Sequence, residues 1–111
     1  MAERIIDPNK AVDYIIEHAS QFSKAKANRV YLEEFRKSKK ALLMNQSTEN
    51  TVNAREQFAY SHPEYIQVLE GIKAAIEVEE KLRWDLVAAQ ARVEIWRSQE
   101  ATARAEGRAT Q

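Results

Sequence analysis

The chain has 111 residues and a mass of 12.8 kDa, enough for one ordinary domain and too little for a catalytic unit joined to a regulatory one. Its 17 Lys and Arg balance its 17 Asp and Glu, so only local charge can point to a polyanionic or acidic partner. Cysteine is absent, which excludes disulfides and thiolate metal sites and fits a reducing compartment.

No apolar run of secretory length opens the chain, and nowhere do about 18 apolar residues follow one another. A cytoplasmic protein with no membrane contact and no removed leader is the expectation. Between Asn9 and His62 there is neither Gly nor Pro, and from Glu64 to Glu106 the only breaker is Gly71. Long helices are what such stretches permit.

Asp7-Pro8 announces the first helix. The carboxylate can accept free backbone N–H groups, and proline lacks an N–H where none is needed. Val12, Ile15, Ile16, Ala19 and Phe22 recur every three to four residues, and Val30, Leu32, Phe35, Leu42 and Leu43 continue the apolar content. The stripe shifts phase between Ser23 and Asn28. That stretch holds good helix formers and no breaker, so one curved helix over about 8–45 is preferred to a helix-turn-helix.

Gln46 to Thr51 is polar and rich in side chains that compete for backbone hydrogen bonds, the composition of a turn. A short helix is predicted over 51–60, with Val52, Phe58 and Ala59 as its apolar contacts. Ser61-His62-Pro63-Glu64 then matches a capping box, with Tyr60 and Tyr65 placed as a hydrophobic staple. The last helix is therefore expected over 62–105, with Gly107 as a stop and 108–111 as a frayed tail. Residues 1–107 would form a single helical domain.

At 1.5 Å per residue that last helix spans about 65 Å. Leu69, Ile72, Ile76, Leu86 and Val93 fall on one heptad frame, interrupted by Glu79, Arg83, Gln90 and Arg97, while Leu82, Ala89 and Trp96 lie beside it. One short partner cannot cover so long a stripe. The predicted fold is an all-α antiparallel helical hairpin, two long helices joined by a short one, self-associating into a coiled-coil-like bundle. Leu69, Ile72, Ile76, Leu82, Leu86, Ala89, Val93 and Trp96 are its candidate helix–helix or oligomer contacts. Trp84 and Trp96 point about 120° apart on a straight helix, so they form no single stacking platform, and at least one is expected between helices. Gly71, which costs roughly 1 kcal/mol relative to alanine, is either a tolerated surface glycine or a point of close helix approach.

Recognisable chemistry is missing. There is no phosphate-binding Gly-rich loop, no His-Glu-x-x-His zinc helix and no Glu-x-x-His pair of the di-iron kind. His18 sits beside Glu17, where adjacent helical residues point apart, and His62 lies in the cap turn. Glu77-Val78-Glu79-Glu80 reads as a solvated face, because Ca²⁺ and Mg²⁺ need oxygens converging from several elements. No strand-turn-helix elbow presents a nucleophile. A non-enzymatic protein with no cofactor and no metal is expected.

Residues 1–47 carry nine Lys/Arg and six Asp/Glu, whereas 48–111 carry eight and eleven. The excess concentrates in Lys24, Lys26, Arg29, Arg36, Lys37, Lys39 and Lys40, with Tyr31 and Phe35 among them. Such a face could neutralise phosphates or stack an unpaired base. The simpler account is internal: long basic stems cover apolar surface, and the acidic second half takes up the charge.

The blocks Tyr31-Leu32-Glu33-Glu34-Phe35-Arg36-Lys37-Ser38-Lys39-Lys40-Ala41-Leu42-Leu43-Met44 and Ala88-Ala89-Gln90-Ala91-Arg92-Val93-Glu94-Ile95-Trp96-Arg97 resemble small all-helical proteins of tailed phages and prophages. That group has no established activity, and its genes often stand near those for replication, recombination or single-strand handling. The resemblance spans Ala11 to Arg104 and carries no catalytic residue. It implies a phage accessory protein in the cytoplasm of a bacterial host, binding a phage or host protein in DNA recombination or replication, with nucleic acid as a further partner. Two other classes stand beside it: an inhibitor of a host nuclease or defence protein, imitating nucleic acid with Glu70, Glu77, Glu79, Glu80 and Asp85, and a purely structural oligomer.

Overall fold

A computed structural model describes residues 5–110 of the chain. Three helices follow one another, α1 (Pro8–Gln46), α2 (Val52–Ser61) and α3 (Pro63–Ala109), with no strand among the described residues. The fold is an all-α helical hairpin, two long helices with a short one between them.

Local chemistry explains most of the ends. Asp7 Oδ1 accepts the backbone N–H of Asn9 at 2.9 Å and of Lys10 at 3.3 Å, which satisfies donors that the first helical turn leaves open. α1 then runs unbroken through residues 23–28. In the turn that follows, Ser47 Oγ accepts from Glu49 N at 3.1 Å and Arg55 Nε donates to the Glu49 carbonyl at 2.8 Å. Thr51 caps α2, its Oγ1 accepting from Ala54 N at 3.1 Å.

The capping box expected at Ser61 does not form. Ser61 is the last residue of α2, and its hydroxyl donates backwards to the Gln57 carbonyl at 2.7 Å. His62, with extended backbone, separates the helices, and its Nδ1 accepts the Glu64 N–H at 3.1 Å. A single intervening residue leaves room for one cap, and the imidazole takes the role assigned to the serine. Tyr60 and Tyr65 do meet, edge to face at 5.4 Å between centroids. At the far end, α3 continues through Gly107 to Ala109, since Gly107 keeps a negative φ and so supplies no left-handed stop.

Two compact units divide the chain, one formed by residues 23–80 and the other by 1–22 together with 81–111. In the first, Ala25, Arg29, Leu32, Arg36, Lys39 and Leu43 of α1 are buried or half-buried, as are Tyr65, Val68, Ile72, Ala75 and Glu79 of α3. Both runs advance by alternating steps of three and four, the heptad seam of packed helices. Pairings of Arg29 with Glu79, Leu32 with Gly71 and Lys39 with Glu64 show that α1 and α3 run antiparallel there. The tightest packing is Leu43 against Ala59 and Tyr65, with Met44 beside them. In the second unit, Ala11, Ile15, His18 and Phe22 share the interior with Leu82, Leu86, Ala89, Val93 and Trp96.

Along α3, then, Val68, Ala75, Leu82, Ala89 and Trp96 alternate with Ile72, Glu79, Leu86 and Val93 in the seam. Leu69 and Ile76, which the apolar pattern places there, are each 40% exposed, and Arg83, Gln90 and Arg97 also face outward. Along α1 the phase never shifts, because Ala25 carries the stripe between Phe22 and Arg29.

Candidate functional site

The seven basic residues of α1 do not share one face. At about 100° per residue, Lys24 and Lys26 lie roughly 160° apart around the helix. Four of the seven are engaged within the unit. Arg29 forms a forked pair with Glu79, Nε and Nη2 each donating to a carboxylate oxygen, and its Nη1 reaches Glu33 at 3.0 Å. These two carboxylates hold the guanidinium pKa above its ordinary value. Lys37 pairs with Glu34 at 3.2 Å, Lys39 with Glu64 at 3.2 Å and Lys40 with Glu56 at 3.5 Å. Lys40 also lies over the Tyr60 ring, 4.7 Å from its centroid, and hydrogen bonding to Tyr60 and then the charge of Glu56 raise its pKa. Arg36 is half-buried in the seam; Lys24 and Lys26 are exposed.

Acidic residues of α3 disperse in the same way. Glu79 is buried at 7% exposure against Arg29, and Asp85 accepts from Lys81 Nζ at 2.7 Å. That bond pulls the Asp85 carboxyl below its ordinary 3.8 and pushes the Lys81 ammonium above its own. Loss of water around Tyr14, and then the nearby Asp85 charge, raise the Tyr14 phenol. Of the five acidic candidates, Glu70 and Glu77, one heptad apart, are the two that are exposed.

Both histidines are tied to backbone. His18 Nδ1 donates to the Tyr14 carbonyl at 2.8 Å, and its ring stacks on Tyr14 at 3.8 Å between centroids. Among the described residues no three His, Asp or Glu side chains converge as metal ligands, and no helix is long and apolar enough to cross a membrane. No buried side-chain nitrogen or oxygen among them lacks a hydrogen-bond partner.

What remains conspicuous is apolar surface. Ten Val, Ile and Leu residues of α1 and α3 are exposed: Val12, Ile16, Val30, Leu42, Ile66, Leu69, Ile76, Val78, Val87 and Ile95. Trp84 is exposed as well, with the Arg83 guanidinium 5.1 Å from its ring centroid, while Trp96 is half-buried in the seam. Of the expected contact residues, Ile72 and Ala89 are buried, Leu82, Leu86, Val93 and Trp96 half-buried, and Leu69 and Ile76 exposed. Tyr65, Val68 and Ala75, outside the expected set, complete the α3 seam. The strict three-four spacing from 65 to 96 was the signal that could have found them.

The chain matches no protein-family model, no curated protein and no solved structure.

Proposed function

We propose that the protein is a non-enzymatic binding factor acting through protein contacts along its helices, in the setting its phage resemblance suggests: an accessory factor for DNA recombination or replication in a bacterial host. The observation supporting this reading is the set of aliphatic side chains left on the helix surfaces, above all Val30, Ile66, Leu69 and Ile76 within the 23–80 unit. Clustered apolar groups rimmed by charge are the usual mark of a surface that receives another protein.

Direct nucleic-acid binding is the weaker reading. Affinity for a phosphate backbone rests on cations that can release its counterions. Arg29, Lys37, Lys39 and Lys40 already have carboxylate partners, and Lys24 and Lys26 point to different sides. The inhibitor alternative rests on Glu70 and Glu77, two exposed carboxylates on one side of α3.

Tagged protein mixed with infected and uninfected host extracts, with and without added nuclease, tests the proposal. A partner recovered stoichiometrically after nuclease treatment is the expected result. Recovery that disappears with nuclease, together with fluorescence anisotropy showing binding to single-stranded or duplex DNA at low salt, would overturn it in favour of nucleic acid. Inhibition of a recovered host nuclease would select the inhibitor class, and no partner at all would leave a structural oligomer.

A further inference from the structure

His62 is the single residue between α2 and α3, and it serves both helices. Its N–H donates to the Ala59 carbonyl at 3.2 Å, which closes α2, and its extended backbone (φ −71°, ψ 135°) turns the chain. The first turn of α3 then draws its acceptors from this one residue. Pro63 has no N–H to satisfy. The N–H groups of Tyr65 and Ile66 donate to the His62 carbonyl at 3.0 and 3.1 Å, and that of Glu64 donates to His62 Nδ1 at 3.1 Å. The neighbouring Ser61 hydroxyl points the other way, onto the Gln57 carbonyl at 2.7 Å.

A helix is ordinarily capped by Ser, Thr, Asp or Asn, whose side-chain oxygens accept hydrogen bonds at any pH near neutral. An imidazole nitrogen differs. Nδ1 can accept only while the ring is neutral and carries its proton on Nε2; in the imidazolium both nitrogens are donors. Proton uptake therefore sets one N–H against another at Glu64, and it adds positive charge at the helix end that is already positive.

Charged groups reach this corner from two elements. Glu64 Oε2 of α3 lies 3.9 Å from His62 Nδ1, and the same oxygen accepts from Lys39 Nζ of α1 at 3.2 Å. From α2 comes the Phe58 ring, edge-on at 5.6 Å between centroids. An imidazolium at His62 would compete with Lys39 for one carboxylate oxygen. That attraction does not offset the lost cap, because the Glu64 side chain is 50% exposed and ion pairs in such surroundings contribute little. The next residue, Tyr65, packs on Leu43 and Ala59 in the tightest part of the unit, so a change at the start of α3 is felt there.

We infer that the α2–α3 corner is an acid-sensitive hinge: protonation of His62 withdraws the acceptor that starts α3 and loosens the packing of Tyr65 against Leu43 and Ala59. The inference goes beyond the proposed function and is independent of what the helix surfaces bind. His18 supplies an internal contrast. Its Nδ1 donates to the Tyr14 carbonyl at 2.8 Å, a role that the neutral and the protonated ring both fill.

Nuclear magnetic resonance of the isotopically labelled chain, titrated from about pH 7.5 to about pH 5 across the imidazole range, tests the inference. The chain has two histidines, and His18→Gln assigns their ring signals. The Glu64 amide, the Tyr65 ring and the Leu43 methyl groups should all shift with the midpoint of the His62 ring. Urea unfolding followed by circular dichroism gives the second readout. The cap's stabilisation is complete above the ordinary imidazole value of about 6.5 and is lost below it. Over the titrated range, wild type should therefore lose about fivefold in folding equilibrium constant relative to His62→Asn, whose carbonyl oxygen accepts at either pH. His62→Ala, uncapped throughout, should stand about fivefold below His62→Asn already at the upper pH. A constant ratio of wild type to His62→Asn overturns the hinge, as does a Glu64 amide that follows His18 or neither ring. A Glu64 amide that titrates with His62 while Tyr65 and Leu43 stay fixed overturns it too. Should His62→Asn fail to fold, the wild-type titration decides by itself.

Discussion

Leu42 and Leu43 are adjacent leucines in one helix, and the fold assigns them opposite fates. Leu43 is fully enclosed, at 0% exposure, by Ala59 and Tyr65 with Met44 alongside, whereas Leu42 is 54% exposed. Truncating Leu43 to Ala removes buried methyl groups and leaves a cavity, a change that costs between about 2 and 5 kcal/mol depending on how far the surroundings collapse. Flexible Met44 can fill part of the space, which places the expectation near 3 kcal/mol. For a chain of this size that lowers the thermal midpoint by roughly 10–20 °C. Leu42→Ala, at a side chain that is more than half exposed, should change stability by no more than about 0.5 kcal/mol. Thermal and urea unfolding followed by circular dichroism would measure both, at one fixed protein concentration because association shifts apparent stability. Equal losses in the two variants, or a loss below about 1 kcal/mol in Leu43→Ala, would refute the assigned seam.

Three further outcomes are expected. A Cβ added at Gly71 would lie 3.9 Å from Leu32 Cδ1, an ordinary contact, so Gly71→Ala should stabilise the chain by about 1 kcal/mol through helix propensity; destabilisation in urea melts would contradict this. Replacing either Arg29 or Glu79 alone with Leu breaks the forked pair in the seam, and the double replacement should cost less than the sum of the two single losses; additive losses in a double-mutant cycle would show that the pair is not coupled. Asp85 is held below its ordinary pKa of 3.8 by Lys81, so its carboxylate adds stability that is complete above 3.8 and lost as pH falls through the lower folded value. The stability gap between wild type and Asp85→Asn should therefore close on acidification, and a gap unchanged across that range would refute the assignment.

Much of the fold is legible in the sequence. Asp7-Pro8 marks the start of α1 because side-chain acceptor and missing N–H act within one turn. Thr51, expected as the first helical residue, is instead the cap of α2 through its hydroxyl, and the lack of Gly and Pro keeps α1 continuous through residues 23–28. The cap before α3 is not legible in the sequence because Ser61 and His62 offer rival acceptors, and only the way α2 ends decides between them. The basic residues between Lys24 and Lys40 look like one patch in linear order. Helical rotation separates them, and carboxylates from 50 and 25 positions further on, Glu79 and Glu64, take up Arg29 and Lys39.

Composition and breaker placement thus determined two long helices, one short one, and a shortage of residues suited to chemistry, since helix formation is governed by contacts within a few residues. Which stripe of each helix turns inward was settled only by tertiary packing. Leu69 and Ile76 are as apolar as Ile72, yet Ala75 and even Glu79 take the interior, because the antiparallel partner supplies Arg29 for the carboxylate and the seam needs small residues for close approach. Two overlapping apolar stripes on one helix are indistinguishable by hydropathy alone. Packing against α1 uses one of them and leaves the other outside.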